Sequence, residues 1–176
     1  LSLEQQHQLL EDVRDDAQWL VRVVENLLSI TRMGEDTRIT KQSEAAEEVL
    51  GEVARKFRKH YPGVKISVAV PDELLIVPMD AILIEQVMTN LLENAVRHGK
   101  NTGGGIPPKL LPVLFSGTLR HSDTPTGDGK RNMGLGLSVC NAIVRAHGGT
   151  MHAQNKDGGA EFIFCLPMIE KEPELQ

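Results

Sequence analysis

The chain has 176 residues, 40% hydrophobic and 24% charged, with a formal net charge of -5 and 3% aromatics. That size and balance suit one ordinary domain with an appendage and a real core. No apolar run approaches the length of a membrane span, and negative charge with few rings excludes an electrostatic nucleic-acid binder. Cys140 and Cys165 lie far apart without metal-ligand spacing, which reads as two buried, reduced thiols of an intracellular protein. The start at Leu1, with no basic stretch leading into an apolar one, reads as the start of a fragment rather than a signal peptide.

Apolar residues recur at Leu10, Val13, Ala17, Leu20, Val24 and Leu27, an alternating spacing of three and four that predicts one helix of a bundle. A lone helix cannot bury such a stripe, so its partner is expected in another chain or in a preceding helix. "RMGEDTRITKQ" (32–42) breaks the pattern at Gly34 and reads as a linker with a short strand around Ile39. Four regions are therefore expected: 1–33 helical, 34–42 linker, 43–168 globular and 169–176 a solvated tail.

The globular part opens with an amphipathic helix through Ala46, Val49, Leu50, Val53 and Phe57, with Ser43 as its expected N-cap and Pro62-Gly63 as its stop. "VKISVAVP" (64–71) alternates as a half-buried strand does, and "LLIVPMD" (74–80) reads as a second strand with Pro78 near its end. A long helix follows over 80–100, with Asp80 as N-cap and Ile82, Leu83, Val87, Leu91 and Ala95 on its apolar face. Residues 101–133 are loop-rich. "MGLGLSVCNAIVRAHGG" (133–149) turns from glycines into a helix closed by Gly148-Gly149, and "KDGG" (156–159) marks a hairpin between the last two strands.

Three features in this stretch can carry chemistry. Asn90 and Asn94, four residues apart on one helix, lie one above the other beside an apolar stripe, where carboxamides need a polar partner. "GGGIPP" (103–108) allows positive φ or close backbone approach to a flat ligand. "GLGL" (134–137) opens a helix whose free N–H groups can meet phosphate oxygens. Each alone is weak; their order within one short stretch is far more specific.

In that order, "NLLENAVRHG" (90–99), "NTGGGIP" (101–107) and "GLGL" resemble the N box and the two glycine boxes of the ATP-binding domain of sensor histidine kinases, an ATPase branch shared with DNA gyrase and MutL-type repair proteins. "LFSGTLRHSD" (114–123) resembles the F box that begins the mobile lid, and "DDAQWLVRVVENLLSITRM" (15–33) the second helix of the dimerisation hairpin. The wording of that helix and of "VPMDAILIEQVMTNLLENA" (77–95) is most similar to potassium-responsive kinases of the KdpD type.

The resemblance implies an α/β (α+β) two-layer sandwich of the Bergerat type, a mixed sheet packed on helices and preceded by one long bundle helix. It implies ATP and Mg2+ as cofactors. Asn94 would hold the metal and Asn90 would support the phosphate end as a catalytic residue. Arg97 and His98 would lie near phosphates and sugar, and Arg120 would reach the γ-phosphate as a second catalytic residue. Asn101, Gly103 and Gly105 would edge the adenine, and Gly134, Leu135, Gly136 and Leu137 would hold phosphates. It further implies a homodimer through the first helix, transfer to a response regulator receiver domain, and a cytoplasmic location with any membrane anchor outside this chain. The phospho-accepting histidine is not among the six present, His7 lacking the H-[ED]-x-x-x-P context, so this fragment is not expected to phosphorylate itself.

The chain departs from that pattern where Asn101 replaces an aspartate, and where Thr118 and Leu119 replace two aromatics. It departs further between the N box and the first glycine box, where only Gly99 and Lys100 stand in place of two sheet strands. A degenerate nucleotide-binding dimer scaffold and an anti-sigma-type serine kinase are the alternatives. A dinucleotide-binding oxidoreductase is least favoured, because no glycine fingerprint follows a strand.

Overall fold

The computed structural model describes residues 2–10, 13, 14, 17, 21, 24, 39–99, 105–116 and 135–168, with the backbone alone at 97–99 and 135. Helix α1 comprises residues 3–10 and is still helical at 13, 14, 17, 21 and 24. Ser2 and Gln5 start it with a reciprocal capping box: the Gln5 N–H donates to Ser2 Oγ at 3.2 Å, and the Ser2 N–H donates to Gln5 Oε1 at 2.9 Å. Of the expected seam, Leu10, Val13, Ala17 and Val24 are all exposed, while Leu20 and Leu27 lie outside the described residues. An apolar stripe left open to solvent along a helix is a surface awaiting a partner.

The globular part runs β1 (Gln42–Ala45), α2 (Ala46–His60), β2 (Ile76–Met79), α3 (Ala81–Gly99), a short 3-10 turn (Leu111–Val113), α4 (Leu135–Ala146), β3 (Thr150–Lys156) and β4 (Gly159–Cys165). Strand β1 pairs antiparallel with β2, Gln42 opposite Met79 and Ser43 opposite Pro78. Ser43 is therefore a strand residue; α2 starts after Ala45, which makes no side-chain cap. The extended backbone of 42–45 is held by the ladder to β2, and that pairing overrides the capping preference of serine. Strand β1 also straddles the expected start of the globular region at 43, and Ile39 lies before it. Among the described residues the ion pairs on α2 are exposed. Glu52, held down to about 2 by Arg55 and, less strongly, Lys56, bonds Arg55 Nη2 at 2.7 Å, and Lys56 reaches Glu85 of α3 at 2.6 Å.

The hairpin β3–β4 turns at Asp157 (φ 50) and Gly158 (φ 77), the paired positive φ of a type I′ turn, as the "KDGG" signal predicts. The α+β sandwich is present, but among the described residues its sheet layer is two antiparallel pairs, β1-β2 and β3-β4, not one mixed sheet. Residues 65–71 form no regular element and have no ladder partner among the described residues, and Val68 and Val70 are exposed.

One core joins these pieces. Val49 from α2, Val77 and Met79 from β2, Leu83, Ile84 and Val87 from α3, and Val139, Cys140, Ile143 and Val144 from α4 are buried together, with Met151 and Phe164 of the hairpin packed against them. Helix α3 begins as expected, the Leu83 N–H donating to Asp80 Oδ1 at 3.2 Å. Its buried face is shifted from the expected one: Ile84 is fully buried, while Ile82 and Ala95 are exposed. Helix α4 ends as expected in a Schellman motif. Gly148 has φ +79, its N–H meets the Arg145 carbonyl at 2.8 Å, and the Gly149 N–H meets that of Val144 at 2.9 Å. Cys140 is buried but Cys165, at the end of β4, is exposed, contrary to the expectation of two buried thiols.

Candidate functional site

The site is framed by α3 and α4, and two points of contact set their relative direction. At one end His147, just past α4, accepts the Asp80 N–H at 3.0 Å through Nε2, at the start of α3. In the middle the Cys140 thiol faces the Val87 carbonyl at 3.8 Å. The residue just past the end of α4 thus meets the one just before α3, and the helices run antiparallel. Four residues back from Cys140 stands Gly136, and four on from Asn90 stands Asn94, each step being about 6 Å along its axis. Asn94 is thereby brought level with the first turn of α4.

Asn90 and Asn94 are both half-buried on α3. The Asn90 amide nitrogen is buried without a hydrogen-bond partner. Beside it lies Cys140, whose thiol is pushed up to about 12 by burial, the Asn90 amide offsetting part of that. A thiol sulfur is a weak acceptor and does not satisfy an amide donor. A buried donor left unpaired is uncommon and points to an absent acceptor. Such a thiol, neutral at ordinary pH, is inert rather than nucleophilic.

The first turn of α4 presents N–H groups with no acceptor of their own helix. A Cβ added at Gly136 would meet nothing within 4 Å, so the described surroundings leave the backbone there open to approach. Leu137 is buried and anchors the turn. Gly105 has φ +76, the left-handed region that glycine enters without steric cost, and this turns the chain into Ile106-Pro107. Beyond it Leu114 is buried and Phe115 meets Phe162 of β4 edge-on at 6.5 Å.

Of the expected site residues, Asn90, Asn94, Gly136 and Leu137 gather about the α3–α4 pair, and Gly105 lies on the β3–β4 hairpin. The side chains of Arg97, His98 and Leu135, and all of Asn101, Gly103, Arg120 and Gly134, lie outside the described residues. Two residues were not singled out in the sequence: His147 and Asn155. His147 was discoverable as a histidine closing an apolar helix at Gly-Gly. Asn155, an ordinary polar position on a solvated strand, gave no signal.

The chemistry suits a hard cation with a polyphosphate better than an all-protein metal cage. Among the described residues no three His, Cys, Asp or Glu side chains cluster as metal ligands. Mg2+ keeps to oxygen ligands and commonly binds through few protein groups plus phosphate oxygens. The Asn94 side chain carries an oxygen of that ligand type, and the unpaired Asn90 N–H is a donor of the type a phosphate oxygen accepts.

Residues 99–170 match the family model described as histidine kinase-, DNA gyrase B-, and HSP90-like ATPase. This stretch belongs to that ATPase family. The chain is 36% identical to the sensor protein KdpD of Clostridium acetobutylicum, an alignment covering 93% of this chain and 21% of that protein. It is 32% identical to KdpD of Escherichia coli, covering 94% of this chain and 20% of that protein. The chain thus spans about a fifth of the length of these curated relatives. The first alignment runs over 187 positions, more than the 176 residues available, so it contains positions where the relative has residues and this chain has none. Among solved structures, the catalytic domain of the histidine kinase ThkA is 26% identical with a TM-score of 0.58, covering 73% of this chain and 95% of that one. The globular part therefore has the fold of histidine-kinase catalytic domains. Among the described residues no helix is long and apolar enough to cross a membrane.

Proposed function

We propose that this chain is the ATP-binding catalytic portion of a two-component sensor histidine kinase with the second helix of its dimerisation hairpin. In this reading the γ-phosphoryl of ATP passes to a histidine outside residues 1–176 and then to a response regulator aspartate. The observation that carries the reading is the buried, unpaired amide nitrogen of Asn90, beside Cys140 and one turn before Asn94. When bound, Mg2+ supplies charge neutralisation at the polyphosphate.

The chain's own residues do the rest by position. Asn94 holds the metal through its carbonyl oxygen. Asn90 donates to a phosphate oxygen and thereby gains the partner it lacks. The first-turn N–H groups of α4, reached past Gly134 and Gly136, take phosphate oxygens with the helix dipole in their favour. Arg97, His98 and Arg120 add cationic donors, and Asn101, Gly103 and Gly105 edge the base. Helix α1 pairs through its exposed Leu10, Val13 and Val24 with a second copy, and any membrane anchor lies outside this chain.

Asn94→Ala removes the metal ligand while leaving the buried core intact. It is expected to weaken Mg-ATP binding about 30-fold, a loss of about 2 kcal/mol for one charge-assisted contact. Its thermal midpoint should stay within a few degrees of the parent's. Calorimetric titration of both chains checks this; equal affinities would remove Asn94 from the site.

A further inference from the structure

The loop carrying Gly105 is fastened to the hairpin by one side chain. The Ile106 N–H donates to Asn155 Oδ1 at 2.7 Å, and Asn155 Nδ2 donates to the Ile106 carbonyl at 2.8 Å. One carboxamide thus satisfies both backbone groups of one residue. That is the pair of bonds two opposed residues exchange in an antiparallel ladder, made here by a side chain. Asn155 is placed for it at the turn end of β3, opposite Ala160 of β4. Contact is close: a Cβ at Gly105 would lie 2.5 Å from Asn155 Oδ1 and 3.0 Å from the Gly159 carbonyl. Only a residue without Cβ lets the loop sit there.

A loop that leaves a sheet strand is positioned by that strand's ladder. Among the described residues no strand ladder holds Gly105 or Ile106; the two side-chain bonds from Asn155 do. Downstream the segment is secured by buried Leu114 and by Phe115 on Phe162.

We propose that Asn155 is a positioning residue for the base-facing edge of the nucleotide site, its carboxamide holding both backbone groups of Ile106 beside Gly105. The proposal rests on the ATP-binding reading above. Asn155 touches no nucleotide in it; it acts through Ile106 and Gly105.

The test uses the 176-residue chain, its Asn155→Ala variant and its Asn155→Asp variant. Asn155→Asp keeps the acceptor for the Ile106 N–H but sets a carboxylate oxygen against the Ile106 carbonyl, so it should behave like alanine. Each chain is titrated calorimetrically with Mg-ATP and with Mg-tripolyphosphate, which has no base, and amide exchange at Ile106 is followed by NMR. The expected result is about tenfold weaker Mg-ATP binding in both variants, alanine losing both hydrogen bonds and aspartate losing one and setting oxygen against oxygen in its place. Tripolyphosphate binding should stay within about twofold, and exchange at Ile106 should accelerate. Variants that bind Mg-ATP like the parent overturn the proposal, as do variants that lose both ligands equally or leave Ile106 exchange unchanged. If the parent binds neither ligand, the ATP-binding reading fails and the base-positioning role falls with it. Ile106 exchange then still shows whether Asn155 holds the loop.

Discussion

His147→Ala is expected to destabilise the chain by about 3 kcal/mol and to remove part of its acid sensitivity. The ring is fully buried where α4 ends, α3 begins and β3 departs. The Asp80 amide can only donate, so the Nε2 that accepts it carries no proton, and Nδ1 bears the hydrogen directed at the Ile143 carbonyl, 2.8 Å away. The neutral ring is thus fully satisfied. Protonation would set a second donor against the Asp80 N–H and charge a buried ring. Burial accordingly pulls the pKa of His147 below its ordinary 6.5; the Lys41 charge adds slightly, while the Ile143 carbonyl and the Asp80 carboxylate oppose it.

The sign follows from the depressed value. As pH falls through 6.5 the unfolded chain takes up the proton and the folded one does not, so the unfolded state is favoured. Stability should be level above about pH 7.5 and fall below 6.5, by at most about 1.4 kcal/mol per pH unit from this ring. The loss stops once pH is below the folded value. Other groups titrate in the same range, so the readout is a difference. Urea unfolding at several pH values should give a shallower slope for His147→Phe, which fills the ring's space without titrating, than for the parent. Equal slopes would show that His147 is not held neutral.

Ile84→Ala should cost about 3 kcal/mol, and Ile82→Ala less than about 0.5 kcal/mol, although the two isoleucines are two residues apart on one helix. Ile84 is 0% exposed in the cluster shared by α2, β2, α3 and α4, so truncation leaves a cavity that close neighbours fill poorly. Ile82 is 69% exposed. Chemical unfolding of both variants distinguishes the observed face from the one expected from sequence, in which Ile82 was an apolar-face residue. A larger loss for Ile82→Ala would contradict the packing described.

That contrast shows where sequence periodicity stops. The extent of α3, its Asp80 cap and its burial of Leu83 and Val87 were legible, because cap chemistry and a 3.6-residue period are local. Three consecutive apolar residues, Ile82 to Ile84, fit more than one face, and only the position of β2 and α4 decides between them. The β3–β4 hairpin was legible for the same local reason, since Asp-Gly suits paired positive φ. Ser43 misled because its pairing partner, Pro78, lies far along the chain. Residues 64–71 misled because alternation signals a strand whether or not a neighbour exists to pair with it.

The candidate site divides in the same way. Asn90, Asn94 and the glycines of 134–136 were recognisable as residue types suited to phosphate and metal. The common level of Asn94 and Gly136 on antiparallel helices depends on His147 and Cys140, contacts no spacing rule announces. Asn155 was invisible, because its role arises from a loop folding back onto a strand some fifty positions later.

The most direct test of ATP binding is calorimetric titration of the 176-residue chain with ATP, in excess Mg2+ and in excess EDTA. Saturable binding at sub-millimolar nucleotide with Mg2+, weakened at least tenfold by EDTA, is the predicted result. No heat of binding at millimolar Mg-ATP would contradict it and leave the chain as a nucleotide-free dimer scaffold.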